Sequence, residues 1–385
     1  MPNVLYLVPN LSDPAVSRRV EMLRLGGARV SVAGFRRADA QPAQLSADRM
    51  VELGVTHDAR MLHRLLATLR ASSTARGWGR AFGRPDVIIA RNLEMLAIAN
   101  SLMPLWQRPP ALVYECLDLH RLMLRDDHFG RAMRRLEQHL MQPAGLLLTS
   151  SPAFLANHFD QQAAPPAMLV ENKVLAPATA PIGRNPARDS TGGPLQIGWF
   201  GALRCRKSLA ALDAVSRLQS GRVQVTLRGR PALTEFDDFH GTTARSPFLE
   251  FAGPYRYPDD LSAIYSAVHF AWAIDCFEEG QNSAWLLPNR IYEGCLNGAI
   301  PIALAGTETA AFIKRLGIGI VLPDIEPATL AGVFDSMTPQ RLQALAQSVA
   351  ALDPSRFRCE PAECKQLVQR LARLAAIETE FELAA

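Results

Sequence analysis

The sequence predicts an α/β protein made of two doubly wound parallel-sheet domains. Short apolar runs of strand length alternate with helix-length amphipathic stretches through both halves of the chain, which is the rhythm of βα units. A stretch rich in Pro, Ala, Gly and Thr interrupts this rhythm near the middle and reads as a linker. At 385 residues the chain is too long for one typical domain, and its 48% hydrophobic content is enough for two cores.

In order, residues 4–8 form the first buried strand, and the loop 9–14 follows with Asn10, Ser12 and Asp13. Asp13 before Pro14 reads as an N-cap for an amphipathic helix from 15 to about 25. Gly26-Gly27 stops that helix, and residues 29–35 are the next strand. Helical periodicity returns at about 60–69. Strands follow at 85–90 and 111–115, then at 146–149 after an Arg-rich helix, and 168–171 closes the set. The linker runs from about 175 to 194. Beyond it, strands are expected at 195–200, 223–228, 248–252, 267–274 and 299–304, and residues 362–381 are helical. The domains so drawn are 1–175 and 195–358, with 359–385 as a terminal helix.

The segment 286–302 is the most informative. Pro288 suits a first helical turn, where its missing N–H is not needed. Gly298 suits the left-handed position after a helix, and the apolar run behind it is a buried strand. The helix therefore starts at the carboxyl edge of a preceding strand, where open α/β sheets bind ligands. Glu293 lies inside that helix, placed to accept two hydrogen bonds from a vicinal diol such as a ribose. The plainer reading, a solvated helix glutamate, stands beside it.

Bulk properties narrow the function class. The N-terminus lacks the basic and long apolar regions of a secretory signal, and no apolar run reaches spanning length. The six cysteines are scattered, with no C-x-x-C pair, so reduced thiols and no structural metal are expected. Neither G-x-G-x-x-G after the first strand nor a Walker A loop is present, which argues against a dehydrogenase or a P-loop enzyme. Net charge is a modest +4, but arginines crowd residues 60–84 and 121–135. These are either solvated helix faces or a docking face for anionic lipid or a pyrophosphate-linked acceptor. No nucleic-acid module is recognisable.

The segment carrying Glu293, Gly298, Pro301 and Ile302 resembles the nucleotide-binding helix of GT-B glycosyltransferases, especially the GT4-like group. Their pattern places another glutamate ahead of Glu293; here that position is Trp285, and the preceding loop holds Glu278 and Glu279. Residues 198–209, with Gly201, Arg204 and Lys207, look like the first strand, loop and helix of the GT-B carboxy-terminal domain. A departing nucleoside diphosphate gains negative charge, and fixed cations beside a helix N-terminus stabilise it. The resemblance implies two Rossmann-like domains facing across a cleft, with the terminal helix returning to the first domain. It implies donor binding by Gly201, Arg204, Lys207, Glu279, Asn289, Arg290 and Glu293. Acceptor or cleft contacts fall to Asn10, Ser12, Asp13 and Asn92.

An inverting enzyme needs a general base, and the strand end at 114–120 offers Glu115, Asp118 and His120. The alternative there is that Asp118 caps the next helix and His120 packs in its first turn. The expected activity is transfer of a sugar, with retention, from a nucleotide sugar to a glycan or lipid-linked acceptor in bacterial surface-polysaccharide assembly. No cofactor or metal is expected. The expected place is the cytoplasm, peripheral on the cytosolic face of the inner membrane. The competing readings are an inverting glucuronosyltransferase-like enzyme, a nucleotide-sugar 2-epimerase, and a catalytically degenerate partner subunit.

Overall fold

The computed structural model describes residues 1–38, 45–56, 61–119, 121–160, 163–175 and 193–383, with the side chains of 61–65 and 378–383 left undescribed. The chain divides into two compact units, one of Met1–Val170 with Glu360–Ala385 and one of Glu171–Cys359.

The first unit is built on a seven-stranded sheet in the order β3-β2-β1-β4-β5-β6-β7. Its strands are β1 (Asn3–Val8), β2 (Arg29–Arg37), β3 (Arg49–Thr56), β4 (Val87–Arg91), β5 (Ala111–Cys116), β6 (Ala144–Thr149) and β7 (Ala167–Leu169). Every pairing is parallel, with Val4 opposite Val30 on one side of β1 and opposite Val87 on the other. β1 and β4 are apolar along nearly their whole length because helices cover both faces of the sheet. The terminal helix Pro361–Leu383 packs on the helix Pro14–Leu25 and reaches β4 and β5. Gly26 allows this approach: a Cβ there would stand 2.2 Å from the carbonyl oxygen of Cys364.

The second unit holds a six-stranded parallel sheet in the order β10-β9-β8-β11-β12-β13. These strands are β8 (Leu195–Leu203), β9 (Val223–Pro231), β10 (Leu249–Phe251), β11 (Phe270–Trp272), β12 (Ile300–Leu304) and β13 (Ile320–Leu322). One face packs Ile197, Trp199, Leu227 and Trp272 into a single core, and the other packs Phe200, Tyr265, Ile291 and Tyr292.

Two strands are absent from the sequence reading. β3 carries Arg49, Glu52 and Gly54 and lies half-exposed at a sheet edge, so no apolar run marks it. β13 is only three residues long. β11 is shorter than the apolar run that announces it, because 267–269 complete a helix end and 273–274 already leave the sheet.

In each sheet the strand order reverses direction beside the first strand of its unit. That reversal lies between β1 and β4 in one sheet and between β8 and β11 in the other. Ligands of open α/β sheets bind at the carboxyl ends of the strands flanking such a point.

Candidate functional site

A pocket of about 270 Å³ opens at the reversal point of the second sheet. Its walls are the end of β8 and the residue after it (Gly201, Arg204), the chain after β11 (Ala273, Asp275) and the start of the helix Asn289–Leu296. The way these three segments fold explains the opening. Gly201 and Gly229 face each other in register across β8 and β9, both at positive φ. A Cβ on Gly229 would fall 1.9 Å from the carbonyl oxygen of Gly201, so the strands can adopt this bend only with glycine there. The bend brings Gly201 beside Tyr255, which lines the pocket from the loop after β10.

Pro288 is the N-cap of the helix rather than a residue of its first turn. Its extended conformation turns Asn289 and Arg290 into the pocket. Gly298 takes φ +81 just past the helix end, the left-handed position read from the sequence.

Glu293 lines the pocket and is only 3% exposed. It is not a solvated helix residue. Its carboxylate accepts the Tyr265 hydroxyl at 3.1 Å. Burial, reinforced by the Glu293 charge, pushes the Tyr265 hydroxyl well above the ordinary tyrosine range. Tyr255 is pushed up for the same two reasons, with Arg290 opposing. Arg290 is buried and donates to the Trp272 carbonyl at 3.2 Å.

Arg204 pairs with Asp275 at 3.1 Å and lies over the Phe277 ring, 4.9 Å from its centroid. Two guanidiniums, two carboxylates and a helix N-terminus therefore converge on one opening. The arrangement can bind an anion at Arg204 and Arg290 while Glu293 accepts hydrogen bonds from hydroxyls.

Among the donor candidates, the structure brings Gly201, Arg204, Asn289, Arg290 and Glu293 together. Lys207 and Glu279 stand outside the lining, exposed and paired with each other. The loop before the helix is held internally, with Ser283 Oγ accepting the Glu278 N–H at 3.0 Å and Glu278 accepting from Asn282 at 3.2 Å. Trp285 is half-buried and does not line the pocket. Sequence reading missed Tyr255 and Asp275. Asp275 had a signal, as the first acid after the buried run 267–274, whereas Tyr255 lies in a loop with no pattern.

In the first unit, Asn10, Ser12, Asp13 and Asn92 gather at the reversal point between β1 and β4. Asn10 accepts the Ser12 N–H at 3.1 Å in a tight turn. Asp13 caps its helix by accepting the Ala15 N–H at 2.9 Å and pairs with Arg91 at 3.2 Å. Asn92 takes φ +67, rare for a side chain with a Cβ, and its enclosed Oδ1 makes no hydrogen bond.

Glu115 is corrected as a base. It is fully buried, bound by Arg19 at 2.6 Å and by the Tyr6 hydroxyl, so no face is open to an acceptor hydroxyl. Burial alone would raise its pKa, but Arg19, Arg91 and the Tyr6 hydrogen bond outweigh it and hold the carboxyl low. Asp118 is exposed and is not the cap of the next helix. That helix, His128–Met141, is capped by Asp127, which accepts the Gly130 N–H at 2.9 Å. His120 lies outside the described residues. Among the described residues, no group of three or more His, Cys, Asp or Glu is placed to hold a metal ion.

Comparison with known proteins now decides the family. The chain is 48% identical over 383 residues to the succinoglycan biosynthesis protein ExoL of Rhizobium meliloti strain 1021, covering 97% of this chain and 94% of that one. It belongs to the ExoL family. No general family model matches the chain. Solved structures show its fold to be that of GT-B glycosyltransferases. Sucrose-phosphate synthase of Thermosynechococcus elongatus superposes with a TM-score of 0.74 at 15% identity, over 98% of this chain and 100% of that one. Anabaena HepE in complex with UDP-glucose gives 0.65 at 16% identity, over 97% and 100%. WaaG, a glycosyltransferase of lipopolysaccharide biosynthesis, gives 0.65 at 13% identity, over 95% and 99%. This ExoL-family chain thus has the two α/β domains of the GT-B fold expected from residues 198–209 and 286–304.

Proposed function

We propose that this ExoL-family protein is a glycosyltransferase that moves a sugar from a nucleotide-sugar donor to a glycan or lipid-linked acceptor in exopolysaccharide assembly. The observation that carries the reading is the pocket at the β8–β11 reversal point, where Arg204, Arg290 and Glu293 converge. Arg204 and Arg290 take the diphosphate and Glu293 takes the ribose diol. The N-terminus of the helix Asn289–Leu296 adds its positive dipole end. Charge grows on the diphosphate as the glycosidic bond breaks, so guanidiniums held in a partly enclosed pocket favour the transition state over the ground state. ExoL acts in succinoglycan biosynthesis, and HepE binds UDP-glucose; both support the reading.

Retention is the preferred stereochemical outcome, because a retaining transferase needs mainly contacts to the sugar and the leaving phosphate; burial removes Glu115 as a base for inversion and leaves the exposed Asp118. Trp285 at the place of a family glutamate favours the inverting alternative, and the anomeric configuration of the product distinguishes them.

A peripheral position on an anionic membrane is supported by the helix His128–Met141. It exposes Phe129 and Leu136 to 50% and 45%, beside the exposed Arg131 and Arg135, the pattern of a helix lying in a lipid interface. Among the described residues, no helix is long and apolar enough to cross a membrane.

The test is a thermal-shift panel of nucleoside diphosphates and nucleotide sugars, since selective binding raises stability by mass action. One base series should stabilise the protein, and acceptor should then trigger release of nucleoside diphosphate. A flat response across the panel would remove the donor reading.

A further inference from the structure

The turns after β8 and β11 each carry a cysteine, and the two residues touch directly behind the pocket-lining Arg204 and Asp275. Cys205 is the N-cap of the helix Arg206–Leu218, where its sulfur accepts the Ser208 N–H at 3.3 Å. The same sulfur accepts the backbone N–H of Cys276 at 3.3 Å. Both residues are buried, at 1% and 8% exposed. Each is next in sequence to one half of the ion pair in the pocket: Arg204 precedes Cys205, and Asp275 precedes Cys276.

We propose that Cys205 and Cys276 are a peroxide-sensitive dithiol–disulfide pair that controls the setting of Arg204 and Asp275. The geometry assigns the roles. The Cys205 sulfur accepts two backbone N–H groups at a helix N-terminus, an environment that favours thiolate. The neighbouring Cys276 thiol leads in lowering its pKa, against burial, while the same neighbour and burial raise Cys276. Cys116 and Cys295, buried elsewhere, are pushed up by desolvation and lack this activation.

The Cys205 thiolate attacks one oxygen of hydrogen peroxide. The O–O bond breaks, hydroxide leaves and takes a proton from solvent, and Cys205 becomes a sulfenic acid. The Cys276 sulfur then attacks the Cys205 sulfur. The S–O bond breaks, and the departing hydroxide takes the Cys276 thiol proton as water. Two thiols are oxidised, one peroxide is reduced, and two waters form. The product joins the two turns covalently. It also withdraws the Cys205 sulfur from Ser208, so the first turn of the helix and the adjoining Arg204 must resettle.

The experiment treats the full-length protein with stepwise hydrogen peroxide, alkylates the remaining thiols and maps peptides by mass spectrometry. A Cys205–Cys276 link should form about tenfold or more faster than oxidation at the other cysteines, and dithiothreitol should reverse it. In Cys276→Ala, which also removes the thiol that helps to activate Cys205, the reaction should be slower and stop at a Cys205 sulfenic acid trapped by dimedone. This variant keeps the Cys205 helix cap. Hydrogen exchange at residues 204–208 should change on oxidation of the wild type and stay unchanged in peroxide-treated Cys276→Ala. Links among other cysteines, or no link before general oxidation, would overturn the pair. A link that leaves exchange at 204–208 unaltered would overturn the control of Arg204. None of these readouts uses a nucleotide, so they stand or fall separately from the donor reading.

Discussion

Glu293→Ala and Glu293→Gln, taken together, separate binding from folding at the pocket. The wild-type carboxylate is 3% exposed, lines the pocket and accepts the Tyr265 hydroxyl at 3.1 Å. Removing it takes away a charged acceptor for the ribose diol, worth about 1–3 kcal/mol. At about 1.4 kcal/mol per tenfold, nucleotide dissociation constants should rise roughly 5- to 150-fold. The same deletion leaves a buried tyrosine hydroxyl without its acceptor, which costs about 1–3 kcal/mol of stability. The variant should therefore be weaker in both respects. Glu293→Gln keeps a carbonyl oxygen for Tyr265, so most of the stability should return while the charge-dependent part of binding stays lost. Calorimetry with the preferred nucleotide gives the first quantity and urea unfolding the second. If Glu293→Ala binds nucleotide as tightly as wild type, Glu293 is a core carboxylate and the diol assignment fails.

Glu115→Ala should cost about 3–5 kcal/mol in urea unfolding, because it strands Arg19 in a fully buried site; a loss under about 1 kcal/mol would contradict the buried pair. The Glu115 pKa is held below its ordinary 4.5, so its contribution is present above that value and fades as pH falls through the folded pKa. Acid unfolding of wild type should show a carboxylate transition that Glu115→Gln lacks. Arg204→Ala should weaken diphosphate binding more than monophosphate binding, and Asp275→Asn, by releasing Arg204, should tighten diphosphate binding by about fivefold; equal effects on both nucleotides would remove the phosphate role. Asn92→Gly should hold or raise stability by about 0.5–1 kcal/mol, since glycine accepts φ +67 without strain, yet lower transfer to acceptor; full transfer activity would make Asn92 structural only. Anionic liposomes should bind the protein at low salt and release it as salt rises. Arg121→Glu with Arg135→Glu should abolish that binding and spare nucleotide affinity. Arg134 is unsuitable for this test because it holds the Met123 and Arg125 carbonyls at 2.5 and 2.8 Å.

The sheets were legible because parallel strands covered on both faces are written as unbroken apolar runs, as at β1, β4, β5 and β8. Where an edge strand is half solvated, as β3 is, the code mixes charge and glycine and the run disappears. Site residues follow the same logic. Glu293 and Arg204 could be named because each sits at a fixed offset from a strand or helix boundary. Tyr255 could not, because its place in the pocket depends on the Gly201–Gly229 bend, a pairing between strands that no local pattern records. Glu115 was misassigned for a related reason. Position at a strand end suggests access, but Arg19 comes from a helix near the start of the chain and closes over it. Burial set by a distant element is invisible in the segment that carries the residue.

The two sheets share one strand order up to β13, so each offers a reversal point, and the chain treats the two points differently. Between β1 and β4 the charges are spent internally. Arg91 ties to Asp13, Arg19 to Glu115, and Tyr6 hydrogen-bonds Glu115. Two guanidiniums and two carboxylates balance there, and burial makes that balance costly to disturb. Between β8 and β11 the corresponding tie, Arg204 to Asp275, stays part exposed beside an open pocket. An anion entering there meets Arg204 with its side chain about a third exposed and can share it with Asp275. An anion entering the first point would have to break a neutral network in which Arg19, Arg91 and Glu115 are buried. The same topology therefore makes a pocket in one unit and an internally paired network in the other, which supports the proposed placement of a diphosphate donor in the second unit. Asn10, Ser12 and Asn92, the polar rim of that point, are the residues we propose to meet an uncharged hydroxyl acceptor.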